Sequence, residues 1–166
     1  VLPVLSIGAF WLILWQGRLR YIGLVMMAAS FMIWARHDRP LVLIADNGSL
    51  LGVMTDQGRA LSKEKGAGFV ARNWLENDGD PSSQLLAAAL WGTGMKRSKV
   101  AQVGAYEFVH LIGKKAVSKF DRCQSDQIVI ASVETQRDFG NCTVHVPKTL
   151  RNSGSIGLYL QGDEAV

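Results

Sequence analysis

The stretch Leu41–Leu61, LVLIADNGSLLGVMTDQGRAL, decides the fold class. Leu41–Ala45 is an apolar run of strand length. Asp46-Asn47-Gly48 follows with the residue types that close hairpins, because Asn and Gly tolerate the positive φ such turns demand. Ser49–Thr55 reads as a second strand, and Asp56-Gln57-Gly58 turns the chain again before Arg59–Leu61. The pattern predicts a meander of two or three antiparallel strands. Downstream, Lys63-Glu64-Lys65-Gly66 is a polar link. Phe69, Val70, Trp74 and Leu75 then fall at helical spacing until Asn77-Asp78-Gly79-Asp80-Pro81 stops the helix. Leu85–Trp91 reads as a further helical turn, ended by Gly92 and Gly94. Phe108–Ile112, Ile128–Ala131, Thr143–Val146 and Ile156–Leu160 each read as a strand, with one helical turn over Pro147–Arg151. Residues 40–162 are therefore expected to form a small α/β (α+β) domain built on a mixed sheet.

Upstream the chemistry changes. Val1–Trp15 and Tyr21–Ala35 carry no charge and are separated by Gln16-Gly17-Arg18-Leu19-Arg20. As helices, runs of this length reach about 22 Å, against a hydrocarbon core of about 30 Å. Trp11, Trp15, Tyr21 and Trp34 sit near the run ends, where interfacial aromatics belong, and Arg side chains can extend to the headgroups. Two runs joined by a basic turn do not match a signal peptide, which has one. Residues 1–36 are read as a transmembrane helical hairpin, a fragment of a larger membrane domain, since Val1 already lies inside an apolar run. A buried hairpin of a soluble protein would show the same composition. Positive charge in the Arg18/Arg20 loop sends the following domain to the opposite side of the membrane, while Arg36 and Arg39 pull the other way.

Composition narrows the classes of function. The chain has 166 residues, 48% of them hydrophobic, and a net charge of +4. Its mean hydropathy is +0.13. All the acidic residues lie from Asp38 onward, so the second part is close to neutral. Disorder, a collagen-like repeat, a disulfide-dense mini-protein and a strongly basic tail are excluded. His37, His110 and His145 are isolated, with no HxH, HxxxH or HxHxDH spacing and no CxxC beside them, so no metal site and no cofactor is expected. His110 and His145 fall inside predicted strands and read as hydrogen-bonded sheet histidines. No GxSxG elbow frames a serine. Gly113-Lys114-Lys115 lacks the first glycine and the Ser/Thr of a phosphate loop. Asn77-Asp78-Gly79-Asp80 has too few ligands for a calcium loop and reads as a helix-ending turn. Cys123 and Cys142, 19 apart, suit a disulfide in an oxidising compartment, although two buried thiols would look the same. Two basic clusters remain, Lys96-Arg97-Ser98-Lys99 and Lys114-Lys115 with Lys119. They could meet a phosphate backbone or could be solvated loop and strand ends.

The order of the pieces resembles the C-terminal end of the ComEC-type competence proteins, particularly the Gram-negative versions. The matching segments are DNGSLLGV, DQGRALS, Phe69–Asp80 around Trp74-Leu75, Cys123 with Asp126–Ile130, and Cys142 with Leu150–Leu160. This resemblance covers nearly the whole chain. It implies a multi-pass protein of the bacterial inner membrane that admits single-stranded DNA during natural transformation. The C-terminal domain would be periplasmic and similar to a reduced metallo-β-lactamase-like domain. The HxHxDH ligand set is missing, which puts hydrolase activity in doubt, and the pore-forming helices lie outside the fragment. In this reading Cys123 and Cys142 staple two strand ends. Lys96, Arg97, Lys99, Lys114, Lys115 and Lys119 are candidate DNA contacts. The implied partners are membrane lipid, the rest of the channel and single-stranded DNA. A membrane-anchored metallohydrolase with unrecognised ligands and a tethered periplasmic interaction domain are the competing readings.

Overall fold

A computed structural model describes residues 1–35, 39–92, 94–95, 97–161 and 164–165. The chain divides into two units, Val1–Arg39 and Pro40–Val166.

In the first unit, α1 (Leu2–Leu14) and α2 (Tyr21–Ala35) are joined by a 3₁₀ turn at Arg18–Arg20. The pair is antiparallel: Ser30 Oγ donates to the Val1 carbonyl at 2.9 Å, and the Trp11 indole N–H reaches the Leu19 carbonyl at 3.1 Å. Between these ends Gly8 faces Gly23. A Cβ at Gly23 would lie 2.5 Å from the Gly8 carbonyl oxygen, so the two backbones touch only because neither carries a side chain. Small residues at the crossing are how apolar helices pack where no hydrophobic effect drives them together. Large apolar side chains such as Phe10, Ile13, Val25 and Ile33 point outward and are exposed. Arg18–Ala35 is long and apolar enough to cross a membrane, while Leu2–Leu14 is shorter.

In the second unit, the two turn signals at Asp46-Asn47-Gly48 and Asp56-Gln57-Gly58 build the expected meander. β1 (Val42–Ile44), β2 (Leu51–Thr55) and β3 (Gly58–Leu61) pair antiparallel, with Ile44 opposite Leu51 and Val53 opposite Ala60. A late strand, β9 (Ile156–Leu158), closes on the other edge of β1, giving a four-stranded sheet in the order β3-β2-β1-β9. The second sheet has five strands, β4 (Gly94–Met95), β5 (Ser98–Val103), β6 (Tyr106–Leu111), β7 (Gln127–Ala131) and β8 (Thr143–His145), in sequence order. Its first three strands are antiparallel, and β6, β7 and β8 are parallel. The β6–β7 crossover runs through α5 (Lys114–Lys119), since a parallel return needs a connection longer than a turn. Leu160–Gln161 (β10) and Glu164–Ala165 (β11) form a separate two-stranded ribbon.

Alternation along the strands sorts the core into layers. Val42, Ile44, Leu51 and Val53 from the first sheet meet Phe108 and Ile130 from the second. The opposite face of the first sheet, at Ala45 and Leu61, is covered by α3 (Gly68–Asp78) and α4 (Gln84–Ala89) through Ala71, Trp74, Leu75, Ala87 and Ala88. The opposite face of the second sheet, at Val109, Leu111 and Val129, is covered by α5 through Ala116 and Val117, with Phe139 beside it. The unit is thus two sheets stacked between helices. The expected mixed α/β (α+β) class is what the chain adopts. Helix α6 (Pro147–Ser153) adds Leu150 to the inter-sheet core. The sequence pattern does not show β4, β5, α5 or β11, and it runs β9 and β10 together as one strand. Strand β5 begins within the first basic cluster, at Ser98-Lys99, and α5 carries the second, Lys114-Lys115 with Lys119.

Arg59, on β3, is completely buried. Its guanidinium makes a two-point contact with the Asp78 carboxylate at the end of α3 and donates to the Pro40 carbonyl at 3.1 Å, tying helix to sheet. Arg59 Nη1 has no hydrogen-bond partner. A buried ion pair left with an unmet donor stabilises little against apolar residues of the same volume, yet removing one partner strands the other charge. Asp78→Ala is therefore expected to destabilise the domain by about 3–5 kcal/mol. Arg59→Met combined with Asp78→Leu should recover most of that loss. Thermal unfolding of the full chain in detergent, followed by circular dichroism, checks both.

Candidate nucleic-acid interface

A buried polar connection bridges the two sheets. His110, on β6, is buried with no exposure, and its ring reaches Ser62 Oγ at 2.8 Å and the Gly48 carbonyl at 3.0 Å. A carbonyl only accepts, so Nε2 carries the hydrogen. Nδ1 is then the acceptor for the Ser62 hydroxyl, whose oxygen in turn accepts from the Leu51 amide at 3.0 Å. Every member is satisfied only when the imidazole is neutral. Gly48 has φ +62°, and a Cβ there would sit 2.6 Å from the Ala131 carbonyl oxygen. The Asp-Asn-Gly turn therefore serves both as the hairpin's end and as its contact with the second sheet. Burial, reinforced by the nearby Lys63 charge and opposed by the Gly48 hydrogen bond, pushes the His110 pKa down to about 4.

Above this bridge lies a basic cleft of about 720 Å³. Lys63 and Lys65 follow Ser62 on one side, and Arg97 and Lys99 stand on the other, with Glu64 the one carboxylate among its lining residues. Lys99 is placed by register, since it pairs directly with His110 across β5 and β6. Arg97 is held by its backbone, whose carbonyl accepts from the Ile112 amide at 2.8 Å. The Lys63–Gly66 loop is fixed by Gln84, whose side-chain amide donates to the carbonyls of Lys63 at 3.0 Å and Gly66 at 2.7 Å.

Arg97 also opens onto a second cleft, of about 630 Å³, with Lys115 and Lys119 from α5. These lysines are one helical turn apart, beside Ala116, whose burial turns the helix so that they stay exposed. Gly113 at the helix entry is anchored by its amide to Ser132 Oγ at 2.8 Å. Among the described residues, no salt bridge involves Lys63, Lys65, Arg97, Lys99, Lys115 or Lys119. The structure thus brings Arg97 together with Lys99 in one cleft and with Lys115 and Lys119 in the other. Lys114 is exposed but lines neither cleft, and Lys96 lies outside the described residues. In the sequence Lys63 and Lys65 read as part of a polar link, because nothing local shows that the inter-sheet bridge carries them to Lys99.

Cys123 and Cys142 are joined in a disulfide, with Cα atoms 5.8 Å apart. Cys142 immediately precedes β8 and Cys123 lies shortly before β7, so the bridge clamps the starting ends of two parallel neighbours. The Cys123 amide also donates to the Phe139 carbonyl at 3.0 Å, and the Phe139 ring packs edge-on against Phe120 with centroids 5.7 Å apart. Among the described residues no group of three or more His, Cys, Asp or Glu side chains comes together. His37 lies outside those residues, and His145, on β8, is half-buried with its pKa lowered by burial. Asp78 is engaged by Arg59, and Asp80 Oδ1 accepts from the Ser82 amide at 2.8 Å, so the Asn77–Asp80 cluster forms a helix end capped at Gly79. Searches for similar proteins find no matching family model, no matching curated protein and no matching solved structure.

Two expectations follow. The unfolded His110 imidazole titrates near 6.5 and the folded one near 4, so between these values the unfolded chain binds a proton that the folded chain does not. Stability is then complete above about pH 6.5 and declines as pH falls towards 4, by on the order of 3 kcal/mol. His145 adds to the decline in the same direction. Unfolding midpoints across this range should show the slope, and His110→Gln should flatten it. Reduction of the disulfide, which closes a loop of 19 residues' separation, is expected to lower stability by about 3 kcal/mol in the chain-entropy model. A Cys123→Ser/Cys142→Ser variant should melt with the reduced protein and ignore reductant.

Proposed function

We propose that this chain is the C-terminal part of a ComEC-type competence protein, and that its folded unit contacts single-stranded DNA entering the inner-membrane channel. The observation that carries the proposal is the pair of clefts sharing Arg97, in which cations from three separated segments converge, none of them in a salt bridge among the described residues. Like charges crowded on one surface repel, and such an arrangement is relieved by a polyanion, whose bound counterions are released as it docks. Three further features support it. The motifs DNGSLLGV and DQGRALS build the hairpin that docks on His110. Two sheets stacked between helices are the layering expected of a reduced metallo-β-lactamase-like domain. The disulfide suits the oxidising periplasm, and α1 and α2, outwardly apolar and packed through glycines, suit two passes of a multi-pass inner-membrane protein. No catalytic role is assigned to any residue.

The test is binding of labelled oligo(dT) to the full chain in nanodiscs of uncharged lipid, at several salt concentrations. Affinity should fall linearly on a log–log plot, by roughly 0.7 in slope for each phosphate engaged. Arg97→Glu should weaken binding by more than about tenfold at about 150 mM salt and flatten the slope by roughly 1. Lys114→Glu, which makes the same change of charge outside both clefts, should do distinctly less. Salt-insensitive binding, or equal effects of the two variants, would refute the proposal.

A further inference from the structure

The two clefts that meet at Arg97 are chemically unlike. The first is walled mainly by charged side chains, Lys63, Glu64, Lys65, Arg97 and Lys99. The second is lined by four apolar side chains, Met95, Leu111, Ala116 and Phe120, with Ser98 and the cations Arg97, Lys115 and Lys119 beside them. Leu111 and Ala116 are buried, while Arg97, Lys115 and Lys119 are exposed. Met95 is 81% exposed, an unusual position for a large apolar side chain on a two-residue edge strand. Phe120 is only half-buried. Phe139 holds part of its ring in the core, and the remainder lines the cleft.

Phosphate recognition alone does not need this second composition. Oxyanions are met by charge and N–H donors, and an apolar lining contributes nothing to them. An apolar slot with cations beside it matches a ligand that is flat and apolar at one end and anionic at the other. A nucleotide residue with its base unstacked has that character, and bases dock on aromatic and apolar side chains with little regard to sequence. In a duplex the bases are stacked inside and only phosphates are presented, so the slot would stay empty. Resting on the single-stranded-DNA reading above, we propose that the Met95–Phe120 cleft is a base-binding subsite, which takes one unpaired base of a strand. The flanking phosphates then meet Arg97 on one side and the α5 lysines on the other. Arg97, common to both clefts, hands the strand from the base slot to the phosphate track along Lys99, Lys63 and Lys65. The occupant is a continuous strand, because a free mononucleotide would use the slot and leave the first cleft unfilled.

The deciding comparison uses the full chain in nanodiscs of uncharged lipid, with oligo(dT) and an abasic deoxyribose-phosphate strand of the same length as probes. Oligo(dT) should bind about tenfold more tightly than the abasic strand at equal salt, with the same salt slope for both. Met95→Ala, at an exposed position that leaves the core untouched, should shrink that ratio without changing the slope. Phe120→Leu should shrink it further, and its melting temperature reports whether the core between α5 and the second sheet has survived. Equal affinity for the two strands would overturn the base subsite while leaving the phosphate interface standing. Failure of both strands to bind would overturn both readings. Displacement of oligo(dT) by dTMP alone would show a mononucleotide site and overturn the continuous-strand assignment.

Discussion

The buried imidazole of His110 is the constraint on which the rest of the second unit depends. It lies between the two sheets, and it joins a strand of one to the β1–β2 turn and to the residue that follows β3 in the other. Stacked sheets held only by apolar side chains can slide, because the hydrophobic effect is non-directional. A hydrogen-bonded chain from Leu51 through Ser62 and His110 to Gly48 admits one register. That register has a surface consequence. Lys63 is covalently next to Ser62, and Lys99 is the cross-strand partner of His110, so fixing the bridge fixes two sides of the basic cleft. The cost of the device is a group whose ionisation is incompatible with its surroundings, and the lowered pKa is the expression of that cost.

Where local chemistry was strong, the sequence could be read. The Asp-Asn-Gly and Asp-Gln-Gly turns announce the meander because the positive φ at Gly48 and Gly58 leaves few alternatives. The α3 helix is legible because Val70, Trp74 and Leu75 repeat at the helical period and Gly79 ends it in the left-handed conformation, although Phe69 of the same pattern is exposed and Ala71 takes the buried place beside them. Two of the elements that the pattern does not show carry the site. Helix α5 has six residues, KKAVSK, too short for a period to emerge, and its N-cap is Gly113 with no side-chain cap to signal a start. Strand β5, SKVAQV, is half-buried along most of its length, so the alternation that marks a one-sided strand is blurred. The site suffered for the same reasons, since Lys99 lies on β5 and Lys115 and Lys119 lie on α5. Its remaining members, Lys63 and Lys65, are brought to it by contacts between sheets, which no window of sequence displays.

The disulfide and the clefts are coupled through one short path. Cys123 bonds the backbone of Phe139, Phe139 packs on Phe120, and Phe120 forms a wall of the second cleft. The covalent clamp at the start of β7 and β8 thus reaches the Phe120 wall of the second cleft through Phe139, which is buried beneath α5.

The arginines show how the same side chain is treated when it serves structure and when it serves the surface. Arg59 is sealed, with a carboxylate and a backbone carbonyl brought to it at the junction of β3 and α3. Arg137 lies across the Phe139 ring and pairs with Asp121. Arg97 has its backbone fixed by Ile112 and its side chain lining two clefts, and among the described residues it makes no salt bridge. An exposed ion pair would contribute little to stability, so forgoing one there sacrifices almost nothing in the fold. What it retains is a guanidinium able to present paired donors to an incoming oxyanion. Placed between a polar track and an apolar slot, that unspent charge is where a strand's phosphate would have to lie for its neighbours to reach both.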